Sequence, residues 1–238
     1  MASPFKRPTA MNHLPSAYQA LVIGATGALG GAFAERLSQD ARCASVVRLG
    51  RTTLPALDLT VPHTINAAAA QLAGQGPFDL IILATGVLHG EGYMPEKSLE
   101  ALNPEQLLAT FQTNTFGPAL VLQQFLPLLS PKGVFAVLSA KVGSIEDNRL
   151  GGWYSYRASK AALNMLIKTA AIESTRRWPG KRLVALHPGT VASPLSRPFR
   201  REARAPLDAA ADMLRVLDEL NPDDHGGFFS YNGERLPW

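Results

Sequence analysis

The sequence predicts a single doubly wound α/β domain built on a mostly parallel sheet, and three observations point there. Short apolar runs that read as strands alternate with longer stretches of helical periodicity from residue 18 onward. Phe78 to Ala84 is almost continuously apolar, as a strand covered on both faces requires. The first strand, Ala20 to Ile23, runs into the glycine-rich stretch 24–30 (GATGALG), and a helix follows with Ala32, Phe33 and Leu37 on its apolar side. No shift in composition divides the 238 residues, and α/β folds of that length commonly form one domain.

With 46% hydrophobic and 18% charged residues, the chain has the makeup of a globular protein with a sizeable core. Its lone cysteine, Cys43, cannot close an internal disulfide, so nothing argues for an oxidising compartment. The first 17 residues hold Lys6 and Arg7 but no apolar core, so they do not read as a secretory signal, and a cytoplasmic protein is expected. Pro4, Pro8 and Pro15 make residues 1–17 read as a disordered tail, with the domain at 18–238. No run approaches the 18 apolar residues of a membrane span. The formal charge of +4 is partly concentrated in Arg197, Arg200, Arg201 and Arg204, without the interleaved aromatics of a nucleic-acid surface. An anionic substrate group or a solvated face explains that cluster more simply. No cluster of His, Cys and carboxylates suggests a metal.

Taken in order, each element carries a reason. Gly24, Gly27 and Gly30, with Thr26, Ala28 and Leu29 between them, join strand to helix on a GxxGxxG spacing. Glycines there let backbone approach a pyrophosphate, and the helix N-terminus adds N–H donors and a favourable dipole. The second strand, Ala44 to Leu49, leads to Arg51, and no acid stands between Ala41 and Ala56. An acid near that point would grip a ribose 2′-hydroxyl, whereas arginine accommodates a 2′-phosphate, so NADP(H) is expected over NAD(H). Helical alanines follow from Ile65 to Ala73, then the apolar strand ending in Ala84-Thr85-Gly86. Residues 104–129 read as helical, interrupted at Pro118 and Pro127, and carry Asn114. A strand at Gly133–Leu138 leads through Ser139, Ala140 and Ser144 into a turn-rich segment. The long helix from Tyr156 to Arg177 is stopped by Pro179-Gly180, and a strand at Leu183–His187 follows. An amphipathic helix at Leu207–Leu220 and a last strand at Gly226–Tyr231 complete the chain.

Tyr156 and Lys160 stand one helical turn apart on one face. A tyrosine with its ordinary pKa of about 10 exchanges protons poorly at neutral pH. A neighbouring ammonium favours the phenolate and is expected to lower that pKa. Such a pair can pass a proton to or from a carbonyl or hydroxyl oxygen while another agent moves a hydride.

The stretch Tyr156-Arg-Ala-Ser-Lys160-Ala-Ala, with the glycine turn upstream, resembles the short-chain dehydrogenase/reductase family, over residues 18–238. It is similar in particular to the C-factor/sniffer-like carbonyl reductase branch, which the segment 145–155 and the closing residues 233–238 also resemble. The resemblance implies a Rossmann-type fold and a carbonyl/alcohol oxidoreductase in which Tyr156 is the general acid/base and Lys160 also holds the nicotinamide ribose. Leu57-Asp58-Leu59-Thr60 is similar to the family's adenine-side motif, with Asp58 on the base. Ala84-Thr85-Gly86 stands for Asn-Ala-Gly beside a ribose. Asn114 matches the Asn-x-x-Gly helix, where it links the lysine to solvent through a water. Pro188-Gly189-Thr190-Val191-Ala192-Ser193 resembles the turn beside the nicotinamide, with Ser193 replacing threonine. Residues 194–205 correspond to the variable lid over the substrate.

The chain departs from the family at Ala28, where many members carry glycine, and at Ala140, where a serine usually binds the substrate oxygen. Ser139, Ser144 or the tyrosine alone must serve there, and Ser144, in the loop beyond Gly143, is the hydroxyl expected to do so. His89 reads as a loop residue and His187 as a structural histidine. The resemblance implies a homodimer or homotetramer through the helices of Asn114 and Tyr156, both apolar on more than one side. Two other readings stand beside the reductase. Ala140 leaves room for a dinucleotide-binding signalling or scaffold protein with little turnover. The glycine spacing leaves room for epimerase or dehydratase chemistry, although only about 45 residues follow Ser193.

Overall fold

The computed structural model describes residues 11–199 and 202–238. Its strands are β1 (Tyr18–Ile23), β2 (Cys43–Leu49), β3 (Phe78–Leu83), β4 (Leu129–Leu138), β5 (Arg182–His187) and β6 (Phe228–Ser230). Its helices are α1 (Ala28–Ser38), α2 (Pro62–Leu72), α3 (Pro104–Phe111), α4 (Gly117–Phe125), α5 (Tyr154–Arg177) and α6 (Pro206–Asp218). The strands form one sheet in the order β2-β1-β3-β4-β5-β6, and every neighbouring pair is parallel. The chain runs outward from β1 to β2, then returns to β1's other side as β3. The order therefore reverses between β1 and β3, and the crevice beyond their carboxyl ends is where such sheets bind ligands.

Alternation along the strands divides the core into two layers. Leu21, Ile23, Ile81, Leu83, Phe135 and Val137 face Ile65 of α2, Phe125 of α4 and Leu163 and Ile167 of α5. Val22, Leu80, Ile82, Ala136 and Leu138 face Phe33 and Leu37 of α1 and Met213 and Leu217 of α6. Both faces are covered, which is why β3 reads as a continuous apolar run.

Two expectations are corrected. Residues 11–17 belong to the fold: Met11 and Leu14 are buried in the layer of α1 and α6. Arg42 donates to the carbonyls of Met11 and Leu14 at 2.9 and 2.7 Å, and the Met11 amide donates to Asp40 at 3.0 Å. These contacts reach across some thirty residues of sequence, so proline content alone misread the segment; residues 1–10 of the expected tail lie outside the described residues. The stretch 104–129 is also not one helix. A π turn at Gln112–Phe116 separates α3 from α4, and β4 begins at Leu129 after a short 3₁₀ turn. Pro118 has no N–H to give the Asn114 carbonyl one turn back, and the Gly117 amide reaches five residues back to Gln112.

Candidate functional site

The glycine turn lies at the end of β1, at the mouth of the crevice. Gly24 has φ +88°, and a Cβ there would stand 2.7 Å from the Ala84 carbonyl oxygen. A Cβ on Gly30 would stand 2.0 Å from the Gly24 carbonyl oxygen, so α1 crosses the turn at a distance only glycine allows. Gly27 is the extended N-cap residue, and Ala28 and Leu29 open α1. No side chain caps this helix and no acid lies in its first turn, which leaves the N–H groups and dipole suited to a phosphate. Thr26 packs against Gly50, where a Cβ would stand 2.9 Å from the threonine hydroxyl.

Arg51 follows Gly50 and is exposed. The Asp58 carboxylate accepts from the amide and hydroxyl of Thr60, both at 2.8 Å. The Thr60 bonds, with nearby Arg51 adding a smaller pull, hold that carboxyl below its ordinary range. Leu59 is buried against Gly117, whose added Cβ would come within 2.6 Å of the Leu59 Cβ. Across the switch point, Ala84 donates to Ile23 at 2.8 Å. The Thr85 hydroxyl is buried with no protein partner. A Cβ on Gly86 would lie 3.4 Å from both Asn114 Oδ1 and Lys160 Nζ, which brings β3's end, the π turn and α5 together.

Asn114 is fully committed. Its Oδ1 accepts from the Val87 amide at 2.8 Å, and its Nδ2 donates to the Val87 carbonyl at 2.8 Å and to Ser159 Oγ at 3.1 Å. Thr115 locks the same turn onto α5 by donating to the Ser159 carbonyl at 2.9 Å. Lys160 is 2% exposed, and its Nζ donates to the Leu138 carbonyl at 3.0 Å. Burial lowers its ammonium to about 8 and raises the phenol of Tyr156, itself 8% exposed, to about 12. The lysine was expected to draw the tyrosine down; in this arrangement burial raises the phenol instead, and the ammonium points to the end of β4.

The hydroxyl expected at Ser144 is elsewhere. Ser144 is 1% exposed, donates to the Trp238 carbonyl at 3.1 Å and accepts from the Asp147 amide at 3.1 Å. Ser139 donates to Asn164 Oδ1 at 2.6 Å. The residue packed beside Tyr156 is Ala140, with Leu88. The geometry therefore corrects the choice of Ser144: its hydroxyl ties a loop to the last residue. Gly143 permits the turn at 141–143 to lie on α5, since a Cβ there would stand 2.7 Å from that of Lys160.

Above Tyr156 the wall is apolar. Val142, Trp153, Leu195 and Phe199 pack on the Tyr156–Ala140–Leu88 group. The Trp153 ring lies 5.1 Å from Phe199 and 6.2 Å, edge on, from Tyr156, while His89 lies 5.8 Å from Phe199 and 3.2 Å from the Pro194 carbonyl. Residues 194–199 thus form the part of the expected lid that touches the site; Arg200 and Arg201 lie outside the described residues. Arg204 pairs with Asp212 and stacks 4.1 Å over Tyr231. Pro188 leads into Gly189 (φ +71°), which packs on Tyr231, Val191 bridges to Arg204, and the Ser193 amide donates to Ser196 Oγ at 3.2 Å. Burial lowers His187 to about 4, which keeps it neutral at the end of β5. Among the described residues no group of His, Cys, Asp or Glu could hold a metal, and no helix is long and apolar enough to cross a membrane.

Sequence reasoning missed Leu88, Val142, Leu195 and Phe199, since apolar loop residues carry no local signal. It also missed Glu96, a buried carboxylate against the first turn of α5.

The sequence pattern of the family described as short chain dehydrogenase matches residues 18–204. A 1-hydroxy-2-glutathionyl-2-methyl-3-butene dehydrogenase of Rhodococcus sp. is 32% identical over 197 residues, 82% of this chain and 84% of that protein. The C-signal protein of Myxococcus xanthus is 36% identical over 166 residues, 68% of this chain and 94% of its own. Carbonyl reductase Sniffer of D. melanogaster shares the fold with a TM-score of 0.80 at 22% identity, covering 94% of this chain and 100% of its own. An NADP-bound structure from Burkholderia multivorans superposes with a TM-score of 0.79 at 25% identity, covering 93% of this chain and 100% of its own.

Proposed function

The chain belongs to the short chain dehydrogenase family, and from that premise we propose that it is an NADP(H)-dependent oxidoreductase acting on a carbonyl/alcohol pair, with Tyr156 exchanging the proton. The nicotinamide dinucleotide of this family supplies or accepts the hydride. The observation that carries the reading is the convergence of Gly86, Asn114 and Lys160 at the carboxyl ends of the strands and next to the glycine turn, with Tyr156 one turn before Lys160 on α5.

The residues present fit the cofactor. The turn at Gly24, Thr26, Gly27, Ala28, Leu29 and Gly30 receives the pyrophosphate at the α1 N-terminus, and Arg51 the 2′-phosphate. Asp58 and Leu59 border the adenine. The orphaned Thr85 hydroxyl, between Ala84 and Gly86, meets the ribose region, where Lys160 also donates. Pro188, Gly189, Val191 and Ser193 flank the nicotinamide.

With its phenol pushed up to about 12, Tyr156 stays in its neutral, protonated form throughout the neutral range, the form that gives a proton in the reductive direction. Asn114 keeps the backbone of Val87 fixed beside that group. With Ala140 in place of a second hydroxyl, Tyr156 alone among the assigned side chains donates to the substrate oxygen. Trp153 and Phe199 offer flat apolar faces to the rest of the substrate. The protein works as a cytoplasmic homodimer or homotetramer. Steady consumption of NADPH across a panel of apolar aldehydes and ketones tests the assignment; binding of NADPH without turnover on any of them would overturn it. That outcome would instead favour a dinucleotide-binding signalling protein, for which Ala140 beside Tyr156 is the supporting feature.

A further inference from the structure

We propose that Glu96 is a positioning residue: from outside α5 it holds the first turn of that helix and so fixes Tyr156 and Trp153 in the site. The inference rests on the role given to Tyr156 above. The helix is entered through three consecutive left-handed residues, Gly151 (φ 62°), Gly152 (φ 64°) and Trp153 (φ 53°). The glycines adopt that conformation freely, but Trp153 does so against the crowding of its own Cβ. Trp153 is also the N-cap residue, and it has no side-chain oxygen with which to satisfy the first amides of α5.

Glu96 supplies what the cap position lacks. Its side chain is buried, at 3% exposure for the residue. Its Oε2 accepts from the Ser155 amide at 3.1 Å and its Oε1 from the Ser155 hydroxyl. Its backbone carbonyl accepts from the Trp153 amide at 2.5 Å. One residue therefore takes the N–H groups on both sides of Tyr154. A carboxylate at the N-terminus of a 24-residue helix also meets the positive end of its dipole. The segment that carries Glu96 is tied to the other catalytic helix as well, because Gln106 of α3 donates to the Met94 carbonyl at 3.0 Å. This segment, through Met94 on one side and Glu96 on the other, links the helix leading to Asn114 with the helix that carries Tyr156 and Lys160. The arrangement has a physical logic. The cap position is occupied by an indole that walls the site, so the capping oxygen comes from another segment, 59 residues upstream of Ser155.

The test compares the parent protein with Glu96→Ala, Glu96→Gln, Ser155→Ala and Leu217→Ala, the last a core truncation in α6 far from the site. Glu96→Ala is expected to lower kcat by about tenfold or more, since small misplacements of a reacting group are costly, while the Kd for NADPH stays within about twofold. Amide exchange should quicken at 153–159 and stay slow at 163–177. Glu96→Gln, which keeps an acceptor for the Ser155 amide, should restore most of kcat. Leu217→Ala should lower Tm without this loss of kcat. Ser155→Ala, which leaves the carboxylate in place, should lower kcat several-fold and decides the matter if Glu96→Ala does not fold. Unchanged kcat in Glu96→Ala or in Ser155→Ala, or an equal loss in Leu217→Ala, overturns the proposal. If the parent binds NADPH but turns nothing over, the oxidoreductase reading fails. The exchange pattern at 153–159 then judges Glu96 on its own, and unchanged exchange in both Glu96→Ala and Ser155→Ala rejects it.

Discussion

The ammonium of Lys160 donates to the carbonyl oxygen of Leu138, 3.0 Å away, where β4 ends. Burial lowers that ammonium to about 8 and raises the nearby phenol of Tyr156 to about 12. The signs give opposite slopes. Between about 8 and the ordinary lysine value of 10.5 the unfolded chain holds the Lys160 proton more tightly, so stability from this group rises with pH there. Between 10.0 and about 12 the folded Tyr156 keeps a proton that the unfolded chain loses, so stability then falls. Tyr18, raised for the same reason, adds to the fall. Lys160→Met should remove the rise, worth at most about 3 kcal/mol, as measured by denaturant titration from pH 7 to 10. Parallel curves for parent and variant over that range would contradict the depressed lysine.

Tyr156→Phe should leave NADPH affinity within about twofold and lower kcat by about 10²–10⁴-fold, the usual contribution of a general acid–base group. Stopped-flow reduction and fluorescence titration measure the two separately. Retained turnover would discard Tyr156 as the proton donor.

Arg51 is exposed beside Asp58, whose carboxylate is already engaged by Thr60. Arg51→Ala should weaken NADPH binding by roughly 1.5–3 kcal/mol, the range for a charge-assisted hydrogen bond, and leave NADH unaffected. Calorimetric titration of both cofactors checks this. Equal affinity of the parent for both would rule out the preference.

Ser144→Ala breaks the bond that ties the loop at 144–147 to the last residue and a second, from the Asp147 amide, within the loop. It should cost about 1–3 kcal/mol of stability and little kcat. Ala140→Ser places a hydroxyl beside Tyr156 and should raise kcat if the site accepts a second donor to the substrate oxygen. Loss of kcat in Ser144→Ala without loss of Tm would reinstate Ser144 as a reacting group.

On the two helices expected to meet a partner chain, Leu122, Phe125, Leu163 and Ile167 are buried within the domain itself, while Leu120 and Leu166 are half-buried. Exposed apolar side chains remain at Leu108 and Phe116, and at Met165 and Ile172 of α5, which lie one heptad apart on a single face. Light scattering should give a multiple of 25.5 kDa, and Met165→Glu with Ile172→Glu should return it to the monomer mass. A monomeric parent at micromolar concentration would refute the assembly.

The alternation of strands and helices, the glycine turn and the Tyr156–Lys160 pair were legible because each is local: a periodicity, a spacing, a four-residue offset. The illegible parts depend on distant contacts. Met11 looks like tail until Arg42 and Asp40 receive it, and Ser144 looks free until the Trp238 carbonyl accepts its hydrogen bond. Glu96 is one acid in a loop, and nothing near it in sequence announces the helix it caps. Asn114 was found, but the π turn that aims it was not, because Pro118 reads equally well as an interruption or as the first turn of a new helix.

That π turn makes the site depend on a count of residues as well as on their identities. Removing one residue from 112–116 would take out the π turn and bring 104–125 to the α-helical repeat, with only the bond that Pro118 cannot donate missing. Yet every position before the deletion would swing by about 100° against α4, the angle of one residue in a helix of 3.6 per turn. Gln106 and Thr110, now buried, would rotate off their present face, and the amide of Asn114 would leave Val87. An irregularity in the backbone is what keeps this helix in phase with α5, and a chain repaired to uniformity would be out of step with its own tyrosine.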